Sequence, residues 1–472
     1  MPAAPKPPAA PRFVAWLKRL SRAALCGLVL APAGCLKTPD LHVAGTLDVA
    51  TNPPATFELD GKPFCFAGSN NYYPLFMPRP VVDDLFHATV ALDMRVMRIW
   101  AMMDRGSLDG SVPNTDPDGG DKRGVYFQYW DPVAKKPLYN DGPDGLERLD
   151  YVLAKAAELD VKIIMVMVNN WRAFGGIDQY LTWYGRDKHH EFFTAPEVKQ
   201  AYKNWLEHVI LRTNTVTGRP YREDPTIFSW ELGNEPRCKG GNVFDRGDGW
   251  TTATITNWAR EMSEYVKSLA PNHMVSVGDE GFLNGGGSHW AYQANDGVDN
   301  EALTSLPAID FGTFHMYPED WGAKLEWGEQ WILDHLAVGR RVGKPMVLEE
   351  YGVKVGREHG NLGEIVKGWP ERRRAYRRWN ELMLTRGGNG FMPWMLAGNE
   401  DGKRYPDYDR YVFYKDDATG AIMKDYALRF NTEAPACVHA PPANAPPSKF
   451  VRVRRPASSA GEIAFGWARS EG

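Results

Sequence analysis

Short apolar runs alternate along this chain with longer segments whose apolar residues recur at helical spacing, from Phe57 to about residue 434. Residues 64–68, 94–100, 161–168, 227–232, 274–277, 309–315, 346–348 and 390–395 have the length and the aromatic or β-branched content of covered strands. Segments 80–92, 146–158, 197–211, 254–269, 326–342 and 372–384 predict helices, the first with proline at its start, where a missing N–H is harmless. Strands alternating with helices in this way predict an α/β protein, a (β/α)8 TIM barrel forming a single catalytic domain. An open doubly wound sheet would want a Gly-x-Gly-x-x-Gly loop after an early strand. Gly278-Asp-Glu-Gly281 and Gly285-Gly-Gly287 lack that spacing and follow the fifth run.

Two of the runs stop at acids. The fourth ends on Asn234-Glu235, with Pro236 unable to donate to a ladder, and the seventh runs into Glu349-Glu350, with Gly352 permitting a turn. Groups at the C-terminal ends of barrel strands face one common site, so Glu235 and Glu350 form a candidate pair. Glycoside hydrolysis needs two such carboxyls: one protonates the leaving oxygen while the other attacks the anomeric carbon or activates water there. Neighbouring strand residues point to opposite faces, so only one of Glu349 and Glu350 is expected in the pocket.

Composition narrows the substrate. A formal net charge of −4 without a long basic run argues against nucleic acid or an anionic membrane surface as partner, and favours an uncharged ligand. The 17 Trp and 20 Tyr serve a core, and they also suit a cleft that stacks flat ligand faces. Asp116, Asp118 and Asp121 lack EF-hand spacing and predict a solvated loop. No His-Glu-x-x-His or Cys-x-x-Cys occurs, so neither a metal nor another cofactor is expected.

Lys6, Arg12, Lys18, Arg19 and Arg22 precede an apolar run, 23–31, too short to span a bilayer, and this predicts an export signal over 1–35. Ala33-Gly34-Cys35 is similar to a bacterial lipoprotein box, although Pro32 stands where Leu is usual. Lipidation of Cys35, the one expected membrane attachment, therefore has ordinary cleavage near Ala33 as its alternative. The expected organisation is a tether over 36–56, the barrel over 57–434 and a disordered Pro/Ala/Arg-rich tail over 435–472, in a secreted, periplasmic or cell-surface monomer. Outside the leader, Cys65, Cys238 and Cys437 are an odd set, which is no complete disulfide framework.

The ordered set of motifs resembles glycoside hydrolase family 5, and within it the endo-β-1,4-mannanase branch. It comprises Gly68-Ser-Asn-Asn-Tyr-Tyr73, Met97-Arg-Ile-Trp100, Val168-Asn-Asn-Trp171, Asn234-Glu-Pro236, Asp310-Phe-Gly-Thr-Phe-His-Met-Tyr-Pro318 and Glu350-Tyr-Gly352. The resemblance implies a retaining hydrolase of β-1,4-mannosidic linkages, with a polysaccharide or oligosaccharide of the β-mannan type as substrate. Glu235 would be its acid/base and Glu350 its nucleophile. Arg98 would hold the nucleophile, His315 and Tyr317 would flank the two acids, and Asn234 would meet the sugar 2-hydroxyl. Asn169, Trp171 and Trp394 would bind sugar, while Arg172 stands where many mannanases are expected to have an acid or amide. The Glu-Tyr-Gly register favours Glu350 over Glu349. An exo-acting β-mannosidase or a β-1,4-glucanase would use the same scaffold, and a carbohydrate-binding barrel without activity is the reading from another class.

Overall fold

All eight apolar runs become parallel strands of one sheet in the computed structural model, which describes residues 54–116, 122–240, 248–356, 368–407, 409–440 and 447–456. They are β1 (Phe66–Asn71), β2 (Val96–Trp100), β3 (Lys162–Val166), β4 (Ile227–Glu231), β5 (Met274–Ser276), β6 (Gly312–Met316), β7 (Met346–Tyr351) and β8 (Gly390–Phe391). Hydrogen-bonded neighbours run β5-β4-β3-β2-β1-β8-β7-β6, which is chain order read around a ring. Between β5 and β6 the ring is joined by Asp310 N–H donating to Val275 O at 2.9 Å and His315 N–H donating to Glu280 O at 3.1 Å.

Each strand is followed by a helix: α1 (Arg79–Ala91), α2 (Glu147–Glu158), α3 (Pro196–Ile210), α4 (Thr252–Leu269), α5 (Asn300–Thr304), α6 (Trp327–Val342), α7 (Trp369–Thr385) and α8 (Ala418–Glu433). α4 opens with a capping box between Thr251 and Thr254, and α8 with Asp417, whose carboxylate accepts from the N–H groups of Thr419 and Gly420. The helices bury leucine, valine and tryptophan against the strands. At the opposite end of the strands an inner cluster of Phe57, Phe66, Phe228, Phe311 and Val347 fills the barrel floor. Phe57 meets Phe228 and Phe311 edge-on at 5.1 and 5.4 Å. Gly390 is required there, because a Cβ would stand 2.5 Å from the Phe66 ring.

The structure departs from the sequence expectation at several elements. α5 and α8 were not expected, nor was the helix Gly176–Trp183. The long loop after β2 folds into a small sheet of Asp104–Ser107, Gln128–Asp131 and Lys136–Tyr139. The expected disorder from 435 onward is corrected: Pro435–Val438 is a helical turn, and Arg452–Arg454 pairs antiparallel with Thr56–Leu59, itself hairpinned to Lys62–Phe64. Val451 is buried in the floor cluster and Arg454 is ion-paired to Glu58 at 2.8 Å, which explains why this stretch is ordered despite its composition. Cys65 and Cys437 form a disulfide, leaving Cys238 as a buried thiol. Asp116 accepts the Phe174 N–H at 2.9 Å; Asp118 and Asp121 lie outside the described residues, as do the leader with Cys35, the tether up to residue 53, and residues 457–472.

Candidate active site

Glu235 leaves the sheet just beyond β4. Asn234 N–H still bonds Val168 O at 2.7 Å, but Glu235 has φ of 54° and sends its own N–H to Gly278 O at 2.8 Å. A non-glycine residue in the left-handed region is strained, and surrounding structure must hold it there. The turn aims its carboxyl inward, where Oε2 accepts the Trp171 indole N–H at 2.6 Å and Oε1 lies 2.8 Å from His315 Nδ1. Glu350, on β7, accepts from Arg98 Nη1 through Oε1 and from the Tyr317 hydroxyl at 2.7 Å through Oε2. An oxygen of each acid and a ring nitrogen of His315 lie within 4.8 Å of one another.

Arg98, fully buried on β2, ties these groups together. Its Nε donates to Glu231 Oε1 at 2.8 Å, Nη1 to Asn70 Oδ1 at 3.1 Å as well as to Glu350, and Nη2 to Asn234 Oδ1 at 2.8 Å. Burial opposes its charge, but Glu231, Glu349 and Glu350 outweigh this and raise its proton affinity further. Asn234 is thereby fixed at both ends, since its Nδ2 donates to Asn169 Oδ1 at 3.0 Å.

Burial is the largest influence on both central acids, and it pushes both above the ordinary glutamate value. Two acids this close titrate as a pair. Glu350 is touched directly by the Arg98 guanidinium and by a phenol, whereas the cations near Glu235, Arg237 and Arg98, act on it without a direct hydrogen bond. Of the two, Glu350 therefore has the surroundings that better hold a negative charge. Burial also holds His315 below the usual histidine range, which favours the neutral imidazole.

Around these acids opens a cleft of about 320 Å³, walled by Trp100, Trp171, Trp321, Trp394 and Tyr411. Trp394 stacks on Tyr72 at 6.0 Å and 21° and donates its N–H to Asp409 Oδ2 at 2.8 Å, so its ring plane is fixed. Arg237 makes a two-pronged bond to Glu280 and lies 5.2 Å over the Trp171 ring. Burial raises Glu280 to about 7 against the pull of that arginine.

Glu235, Glu350, Arg98, Asn234, His315, Tyr317, Trp171 and Trp394 thus converge as the motifs predicted. Asn169 does not: it is fully buried and bonded to Asn234 and to Ala173 O at 2.9 Å, so it braces the cleft without lining it. Arg237 and Glu280 were missed, although both lie in the loops that follow β4 and β5, the positions from which barrel sites are built. Of the two adjacent glutamates only Glu350 lines the cleft, but Glu349 is not on the opposite face as expected. Phe314 pairs with Leu348 but His315 with Glu350, so Glu349 is the extra residue of a β-bulge. Strict alternation fails there and both glutamates point into the barrel, Glu349 with Oε2 at 3.7 Å from Arg98 Nε and 3.5 Å from His315 Nε2. Among the described residues Glu235, His315 and Glu350 are also the only such trio close enough to share a metal ion. Arg98, Tyr317 and Trp171 already donate to its oxygens, which makes it a poor cation cage.

Comparison with known proteins agrees with this geometry. A family model described as glycoside hydrolase family 5 β-mannosidase-like matches residues 132–362. Mannan endo-1,4-β-mannosidase A of Aspergillus aculeatus is 36% identical over 321 residues, 67% of this chain and 77% of that protein. Mannan endo-1,4-β-mannosidase F of Aspergillus clavatus is 37% identical over 363 residues, 76% and 73% respectively. The crystal structure of the endo-1,4-β-mannanase from Rhizomucor miehei superposes with a TM-score of 0.71 at 34% identity, covering 80% of this chain and 98% of that one. The chain belongs to glycoside hydrolase family 5. It is a (β/α)8 glycosidase, and the relatives named here are endo-acting on mannan by their names.

Proposed function

We propose that the protein hydrolyses internal β-1,4-mannosidic linkages of mannans with retention of configuration, by double displacement. The observation that carries this reading is the closeness of the two acids, an oxygen of each within 4.8 Å of the other. Retaining glycosidases keep their carboxyls about 5–5.5 Å apart, whereas inverting ones leave roughly 6.5–9.5 Å for a water. Glu350, ionised beside Arg98 and Tyr317, attacks the anomeric carbon. Glu235, which burial keeps protonated, gives its proton to the leaving oxygen. Esterification of Glu350 then removes its negative charge, so Glu235 holds its next proton less tightly and serves as the base that activates water. Asn234 has one amide hydrogen beyond the one it gives Asn169, and this supports a bond to the sugar 2-hydroxyl. Trp171, Trp321 and Trp394 offer ring faces for neighbouring sugars.

The same proposal covers location: export, with attachment through a lipid on Cys35. The leader's charge and apolar pattern support it, and so does the Cys65–Cys437 disulfide, since such bonds persist in oxidising compartments. Cys35→Ser should release the protein from membrane fractions or block maturation; unchanged fractionation with a mature N-terminus lacking Cys35 would overturn this part.

Digestion of mannohexaose, with the anomeric form of the first product followed by NMR, tests the activity. Mixed short oligomers born in the β configuration are expected. Mannose as sole product would mean exo action, α products would mean inversion, and turnover of cello-oligosaccharides alone would mean a glucanase.

A further inference from the structure

Beneath the catalytic pair lies a second pair of acids that the reaction above does not use. Glu231, the last residue of β4, and Glu349, the bulged residue of β7, are both wholly buried, and the Arg98 guanidinium stands against both. Their environments are unequal. Glu231 takes two close contacts from the guanidinium, at 2.7 and 2.8 Å, and a hydroxyl hydrogen bond from Ser276 at 3.2 Å. Glu349 has no guanidinium nitrogen nearer than 3.7 Å; His315 Nε2 lies 3.5 Å from its Oε2, and its Oε1 has no hydrogen-bond partner. One cation cannot neutralise Glu231, Glu349 and Glu350 together, and a buried carboxylate left without donors is costly. The acid with the fewer and longer contacts is the one to be neutral.

We propose that Glu349 is a positioning residue of this active site: as a buried neutral carboxylic acid it fills the space between Glu231, Arg98 and His315. It leaves the single positive charge of Arg98 to be divided between Glu231 and the nucleophile Glu350. The bulge is what lets it share the barrel interior with Glu350, for in regular alternation only one of the two adjacent glutamates could face inward. Burial, reinforced by Glu231 and Glu350 and opposed by Arg98, moves its proton affinity in the same direction. Its charged and titratable neighbours are Glu231 from β4, Arg98 from β2, His315 from β6 and Glu350 from its own strand. An ionised Glu349 would draw the guanidinium down and away from Glu350, and would favour protonation of His315.

This assignment makes Gln the faithful substitute and an apolar residue the harmful one. Glu349→Gln keeps shape and neutrality, and should retain kcat within about threefold of wild type with an unchanged acidic limb of the pH profile. Glu349→Leu keeps bulk but loses the polar contacts, and should lower kcat tenfold or more, with KM little changed and the acidic limb moved upward as Arg98 loses its orientation toward Glu350. The kinetic arm rests on the retaining-glycosidase reading; a second readout does not. Infrared difference spectra of wild type minus Glu349→Gln at neutral pH should show the carbonyl stretch of a protonated carboxyl, and a carboxylate band in its place would overturn the proposal. So would Glu349→Gln losing as much kcat as Glu349→Leu, or a folded Glu349→Leu with wild-type kcat and pH profile. Absence of any glycosidase turnover in wild type would instead strike the functional reading and leave the infrared result standing.

Discussion

The indole N–H of Trp171 reaches 2.6 Å from Glu235 Oε2, so the acid/base is oriented by a side chain from the neighbouring strand's end and not by its own backbone alone. That hydrogen bond stabilises the carboxylate form and thus lowers a proton affinity which burial raises. Trp171→Phe removes the donor and keeps most of the ring. Glu235 then stays protonated to higher pH, and the alkaline limb of the kcat/KM profile should move upward, with a loss of about tenfold at the optimum, about 1.4 kcal/mol. An alkaline limb that stays or falls would contradict the assignment.

Removing the two central acids should leave different chemistry behind. Glu235→Ala should lose roughly 10²–10⁴-fold on natural substrate. On a mannoside with a good leaving group it should still form the glycosyl-enzyme, and azide should restore turnover with a β-glycosyl azide as product. Glu350→Ala lacks the nucleophile, and azide in its place should give the α product. Product configuration by NMR separates the roles, and a β-azide from Glu350→Ala would reverse them.

Asp104, at the start of the small sheet after β2, receives the Gln128 amide at 2.7 Å on one oxygen, while the other has no partner. Burial raises it to about 8. Its folded value thus exceeds the unfolded one: its contribution is complete below about pH 4 and is lost as pH climbs toward 8, at up to about 1.4 kcal/mol per pH unit. Asp104→Asn cannot ionise. Urea unfolding at pH 5 and pH 8 should show the variant gaining on wild type as pH rises, and a difference that is flat with pH would refute this.

The Cys65–Cys437 disulfide spans a sequence separation of 372 and joins the residue just before β1 to the turn beyond α8. A crosslink of such reach restricts the unfolded chain strongly, and its loss typically costs about 2–4 kcal/mol. Cys437→Ser should lower the urea midpoint while leaving kcat nearly unchanged, because the bond lies far from the cleft. Equal midpoints for variant and wild type under non-reducing conditions would show that the bond does not form.

The apolar runs were legible because a barrel strand is covered on both faces, and that requirement leaves a continuous mark in sequence. β8 was found through Gly390 and Phe391, yet α8 was not, since a loop of polar and aromatic residues separates them and hides the eighth repeat. The convergence on Glu235 and Glu350 followed from their places at strand ends. The position of Glu349 did not, because a bulge is a matter of pairing between two strands and neither strand carries it alone. Arg452–Arg454 reads as disordered by composition, and it is held by partners nearly four hundred residues away, Glu58 among them. Local sequence has no means of announcing such a contact.

The hairpin at Thr56–Phe64 and the strand Arg452–Arg454 both belong to the barrel floor, at the end of the strands away from Glu235 and Glu350. The described chain therefore enters and leaves by its back. A surface or label coupled beside Thr56 or Arg454 would therefore meet the floor and leave the mouth of the cleft uncovered.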